Sequence, residues 1–100
     1  MPGISLVVPH TLGQEEATSR LKHGFGDIRQ TYQQHVSDLE ETWDGNVLTY
    51  SFKTFGFTIK GTVAVEPLEV KLNSNLPLAA IMFKGTIEQQ IRDQMNKLLA

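Results

Sequence analysis

Apolar and polar positions alternate with two different periods along this chain, and the changes of period mark its elements. Ile4, Leu6 and Val8 fall on one side of a two-residue alternation that stops at Pro9, which predicts a short first strand. Thr11 then stands as a helix cap with Gln14 three positions on, the arrangement of a capping box. Glu15 and Glu16 follow in the first turn, where the helix dipole favours negative charge. Ala17, Leu21, Phe25, Ile28 and Tyr32 form one helical face. Gly24 and Gly26 interrupt it at about 1 kcal/mol each relative to Ala, marking a bend, a break or close packing against the sheet.

Four further strands are predicted. In the first, Leu39 and Trp43 share a face with Glu41. The Asp44-Gly45-Asn46 sequence is a hairpin turn signal. Leu48, Tyr50 and Phe52 then point one way, followed by a turn at 54–56. Phe57, Ile59, Val63 and Val65 form the next inward set, and a turn at 66–67 leads to Leu68, Val70 and Leu72. The outward set is Thr, Ser, Lys, Glu and Asn, so one sheet face is wet and both helices lie on the other. The last helix is expected to begin near Pro77 with the stripe Ala80, Phe83, Ile87, Ile91, Met95 and Leu98, or to break at 84–86 with Thr86 and Gln89 forming a second capping box. The expectation is an α+β fold: a five-stranded, mainly antiparallel sheet with two helices on one face, in the order β-α-β-β-β-β-α, as a single domain over residues 1–100.

Composition narrows the chemistry. At 100 residues, 40% hydrophobic and 20% charged, the chain has room for one core. A net charge of −2 argues against nucleic acid, which calls for a basic face. The absence of cysteine excludes disulfides, thiol catalysis and Cys-based metal sites, and suits a reducing cytoplasm. No secretory signal is visible, and the apolar run at 76–83 is far shorter than the roughly 20 residues of a membrane span.

His10, His23 and His35 lack the close helical spacing of a metal site, so no metal is expected. His10 lies between a strand end and a helix start, where it reads as a hydrogen-bonded turn residue or a functional polar one. Asp38, Glu40, Glu41 and Asp44 read as charge protecting an edge strand. The glycines match neither dinucleotide nor phosphate-loop spacing, and no cofactor is expected. Leu78, Ile81 and Met82 lie off the last helix's stripe. They are the candidates for apolar contact: a helix start buried on all sides, a dimer seam, or contact with an apolar ligand or lipid-like surface.

The segments at 9–17 (PHTLGQEEA), 43–52 (WDGNVLTYSF) and 76–99 (LPLAAIMFKGTIEQQIRDQMNKLL) resemble a small bacterial family, the polyhydroxyalkanoic acid system (granule-region) proteins. Pro9, His10, Leu12, Gly13, Ala17, Trp43, Gly45, Lys84, Gly85, Ile87 and Glu88 match that family's marks. The resemblance implies a bacterial cytoplasmic protein associated with making, storing or using polyhydroxyalkanoate, with the granule or an apolar ligand as candidate partners. It brings no catalytic residues with it. The element order also resembles a shortened helix-grip domain, whose larger members hold apolar ligands between sheet and helix. In a chain this short the inward residues are expected to fill that space.

Three functions follow. The first is a non-enzymatic accessory or binding protein whose partner is a granule surface, an apolar ligand or another protein. The second is a small enzyme for acyl or hydroxyacyl substrates. Hot-dog hydratases of that pathway carry an Asp followed five residues later by His, whereas Asp27, Asp38, Asp44 and Asp93 are followed at that distance by Tyr32, Trp43, Thr49 and Leu98. The third is a plain homodimerising module.

Overall fold

Alternating side chains commit the sheet to one wet and one dry face, and the strand register assembles the dry face into rows. The computed structural model describes residues 3–34, 36–54 and 56–100; positions 1, 2, 35 and 55, and the side chains of Ile28, Tyr32 and Thr54, lie outside the described residues. The expected inward placement of Ile28 and Tyr32 and the position of His35 fall there. The elements run β1 (Gly3–Pro9), α1 (Gln14–Tyr32), β2 (Ser37–Asp44), β3 (Val47–Thr54), β4 (Phe57–Val65), β5 (Glu69–Asn75), a 3-10 helix (Leu78–Phe83) and α2 (Lys84–Leu99). The sheet order is β1-β5-β4-β3-β2, and each neighbouring pair is antiparallel. This is the expected α+β architecture.

One dry row crosses all five strands as Leu6, Leu72, Val63, Leu48 and Trp43. The next is Ile4, Ser74, Gly61, Tyr50 and Glu41. Val8, Val70 and Val65 form a third. Ala17 and Leu21 of α1 and Met95 and Leu99 of α2 are buried with these rows, so both helices cover the dry face. Turn chemistry sets the register. Gly45 takes φ 61° as the first of two turn residues between Asp44 and Val47, a conformation glycine adopts without steric cost. At the β2 edge, Asp38 has φ 51° and the pairing shifts between Ser37 and Glu40, a bulge of the kind that blunts edges.

Several local expectations are corrected. Helix α1 starts at Gln14 behind Gly13, with no side-chain cap, so the Thr11–Gln14 capping box does not form. The Gln14 amide instead donates to the Val65 carbonyl at 2.9 Å, tying the helix start to the sheet. The helix runs unbroken through Gly24 because the close packing there is against α2: a Cβ at 24 would come within 2.4 Å of a Leu98 methyl. Leu68 lies in the turn before β5 and is exposed. Phe57 keeps its inward parity but sits at the strand end, exposed. The last helix is not continuous from Pro77: the chain breaks at Lys84, as the second expectation has it, where a 3-10 segment gives way to α2, but Thr86 does not cap it. Phe83 leaves the expected stripe for solvent, and Leu99 is buried in addition to Met95.

Gly61 is where the second dry row is tightest. A Cβ there would lie 2.5 Å from the Tyr50 hydroxyl and 2.4 Å from the Asn73 carbonyl oxygen, the latter being backbone that cannot swing away. Gly61→Ala is expected to lower folding stability by about 1–3 kcal/mol, read as a lower urea midpoint at unchanged slope.

Candidate functional site

The dry face is not filled. A groove of about 720 Å³ lies between the sheet and the helices, which corrects the expectation that inward side chains would close that space. Its floor is Leu72, Val63, Leu48, Tyr50 and Phe52, continuing to Leu39, Glu41 and Trp43 on β2. One wall comes from Phe25 and Arg29 on successive turns of α1 and Gln33 just past its end, and the other from Gln90, Ile91, Gln94, Met95 and Leu98 of α2. Pockets of about 300–1,000 Å³ with apolar walls and a few polar groups are the usual form of small-molecule sites. Sequence periodicity placed most of these side chains inward without revealing the space between them. The one signal was Glu41, a carboxylate at an inward position between Leu39 and Trp43.

That carboxylate is matched. Arg29 reaches across from α1 and pairs with Glu41 at 3.1 Å. Lys22 sits 5.1 Å from the centre of the Trp43 ring, within range of a cation–π contact. Tyr50 and Phe52, two residues apart on one face, stack with centroids 6.1 Å apart. Burial pushes the Tyr50 phenol above its ordinary value of 10, against the smaller opposing effect of a hydrogen bond with the Ser74 side chain. The phenol is thus a neutral hydrogen-bonding group in the groove floor.

The candidate contact residues lie elsewhere, on the 3-10 helix. Leu78 is 76% exposed, Ile81 41% and Met82 88%, and Phe83 beside them is 59% exposed. No residue of this segment is buried. It belongs to the same end of the sheet as Phe52. Asn75, the last residue of β5, accepts from the Lys60 amide at 2.6 Å and donates to the Thr58 carbonyl at 3.1 Å, and Phe52 pairs with Ile59 between them.

His10 sits apart from both features and is buried. Its backbone N–H donates to the Leu68 carbonyl at 2.9 Å. The Leu12 N–H donates to Nδ1 at 3.2 Å, which leaves Nε2 to donate to the Glu66 carbonyl at 2.9 Å. The ring therefore joins the β1–α1 loop to the β4–β5 turn, with both nitrogens engaged. Among the described residues, no group of three or more His, Asp or Glu side chains is placed to hold a metal ion, and no helix is long and apolar enough to cross a membrane.

Two helices laid across one face of a five-stranded antiparallel sheet, with an apolar groove between the layers, define a small α+β protein. Comparison with protein families supplies the particular one. The family described as "Putative polyhydroxyalkanoic acid system protein" matches residues 4–99, and the chain belongs to it. Comparison with curated proteins found no match.

Two outcomes test this geometry. His10→Ala leaves the Leu12 N–H and the Glu66 carbonyl without partners and is expected to cost about 1–3 kcal/mol of stability, measured by chemical denaturation. The raised Tyr50 pKa has a definite sign. Unfolded tyrosine loses its proton near pH 10 while the folded phenol retains it, so this group's contribution is whole below about pH 10 and falls as pH rises further. Stability measured from about pH 9 to about pH 11 should drop more steeply in the wild type than in Tyr50→Phe.

Proposed function

We propose that this protein is a non-enzymatic accessory of the polyhydroxyalkanoate storage system that contacts the apolar granule surface through Leu78–Phe83. Leu78, Ile81 and Met82 are the contact residues. One observation carries the reading: four large apolar side chains, Leu78, Ile81, Met82 and Phe83, stand in solvent within one six-residue segment that has no buried residue. Scattered exposed apolar residues are normal on a protein surface, whereas a cluster of them marks a contact. The family's polyester context supplies an apolar partner for such a cluster. Contact would remove these side chains from water at about 25 cal/mol per Å² of apolar surface, and a charge placed among them would oppose it. Lys84 and Glu88, on the first turns of α2, form an ion pair at 3.9 Å, so the turn next to the patch presents compensated charge.

The test is co-sedimentation of the purified protein with polyhydroxybutyrate granules. Met82→Glu is expected to keep the circular dichroism spectrum and lose most of the bound fraction. Full binding by the folded variant would remove Met82 from the contact. A dimer that dissociates on the same substitution, with no granule binding in either form, would make the segment a seam between copies instead.

A further inference from the structure

The groove and the exposed segment are separate features, and the groove has its own chemistry. We infer that it binds an uncharged hydroxyacyl ester chain, a short stretch of the polyester itself; the choice of polyester rests on the granule reading above, while the exclusion of charged ligands does not.

Charge is the discriminating property. Among the described residues, Arg29 and Glu41 are the ionised groups lining the groove, and they neutralise each other at 3.1 Å. A free fatty or hydroxy acid would need Arg29 to release Glu41. The Glu41 side chain is only 19% exposed, so it would be left poorly solvated and unpaired, which is costly. A coenzyme A thioester would bring phosphates to a groove whose one lining cation, Arg29, is already paired, while Lys22, outside the lining, lies against the Trp43 ring. An ester chain asks for neither. Its carbonyl oxygens are acceptors only, and the groove offers amide donors in Gln33, Gln90 and Gln94. Its hydrocarbon meets Phe25, Trp43, Phe52 and Ile91. The volume of about 720 Å³ admits a molecule of this kind. Position agrees with chemistry, since Phe52, at one end of the groove floor, belongs to the sheet end that leads into the 3-10 helix.

The experiment uses the emission of Trp43, the sole tryptophan and a groove residue. The full chain is titrated with a linear 3-hydroxyalkanoate trimer, once as its methyl ester and once as the free acid. The ester is expected to shift Trp43 emission saturably and to bind about tenfold more tightly than the acid. Glu41→Gln, which frees Arg29, is expected to raise acid affinity about tenfold and leave ester affinity unchanged. Ile91→Phe narrows the groove and should abolish the ester response. Because Ile91 also packs on the core, Gln94→Glu at the exposed rim provides a second route to weaker ester binding. Acid binding as tight as ester binding, or acid affinity unmoved by Glu41→Gln in a folded protein, overturns the exclusion of charged ligands. No response to either trimer, with granule co-sedimentation intact, overturns the groove site and leaves the surface reading standing. Ester binding in a protein that ignores granules does the reverse: the groove site stands and the surface reading falls.

Discussion

Five strands with a single dry face need more cover than two helices side by side provide. Among the described residues, helix contacts with the sheet fall on β1 for α2 and on β4 for α1. In the order β1-β5-β4 those strands are two spacings apart, roughly 10 Å, close to the roughly 8–10 Å between packed helix axes. The helices lie closest to β1, β5 and β4; beyond them Leu48 of β3 is still buried, while Trp43, Tyr50 and Phe52 are only partly covered. The groove runs from beneath the helices over this part of the sheet.

The polar groups around the groove follow from the same geometry. An inward charge on an edge strand discourages pairing with another chain, and Glu41 has that position on β2. It keeps its charge at low exposure because α1 presents Arg29 opposite it. Tyr50 reaches the buried row because Gly61 opposite it has no side chain. Glu41 and Trp43 face inward by the register that the Gly45 hairpin sets, and the bulge at Ser37–Glu40 falls beyond them toward the start of β2. One edge strand thus supplies a wall, a charge and an aromatic ring, and the helix over β4 supplies their partners.

Much of this was legible in the sequence because period reports which side of an element a residue takes. The strands, the Gly45 hairpin, the inward sets ending at Val65 and Leu72, and the cover of one face by two helices all follow from alternation and turn residues. What failed depended on ends. Thr11 and Thr86 have the composition of caps, but capping also requires where the chain enters the helix, and here Gly13 and the 3-10 helix decide that. Leu68 and Phe57 satisfy the alternation yet sit where strand gives way to turn, outside the cover. The groove was not legible at all, because inward parity says that Phe25, Tyr50 and Ile91 face one another and says nothing of the distance between them.

The exposed segment has a geometrical origin of its own. A 3-10 helix turns 3.0 residues per turn against 3.6 in an α-helix, so residues three apart eclipse. Over 78–83 this places Leu78 above Ile81, Ala79 above Met82 and Ala80 above Phe83. Of the six, Ala80 packs against the core cluster. The 3-10 winding keeps Phe83 on the side of Ala80, so its exposure comes from its place at the end of the segment and not from phase, and α2 then starts at Lys84 with Ile87 and Ile91 packed against the core. Four large apolar side chains stand in solvent next to a helix that is otherwise amphipathic. The exposed segment stands at the end of the sheet to which Phe52 carries the groove floor.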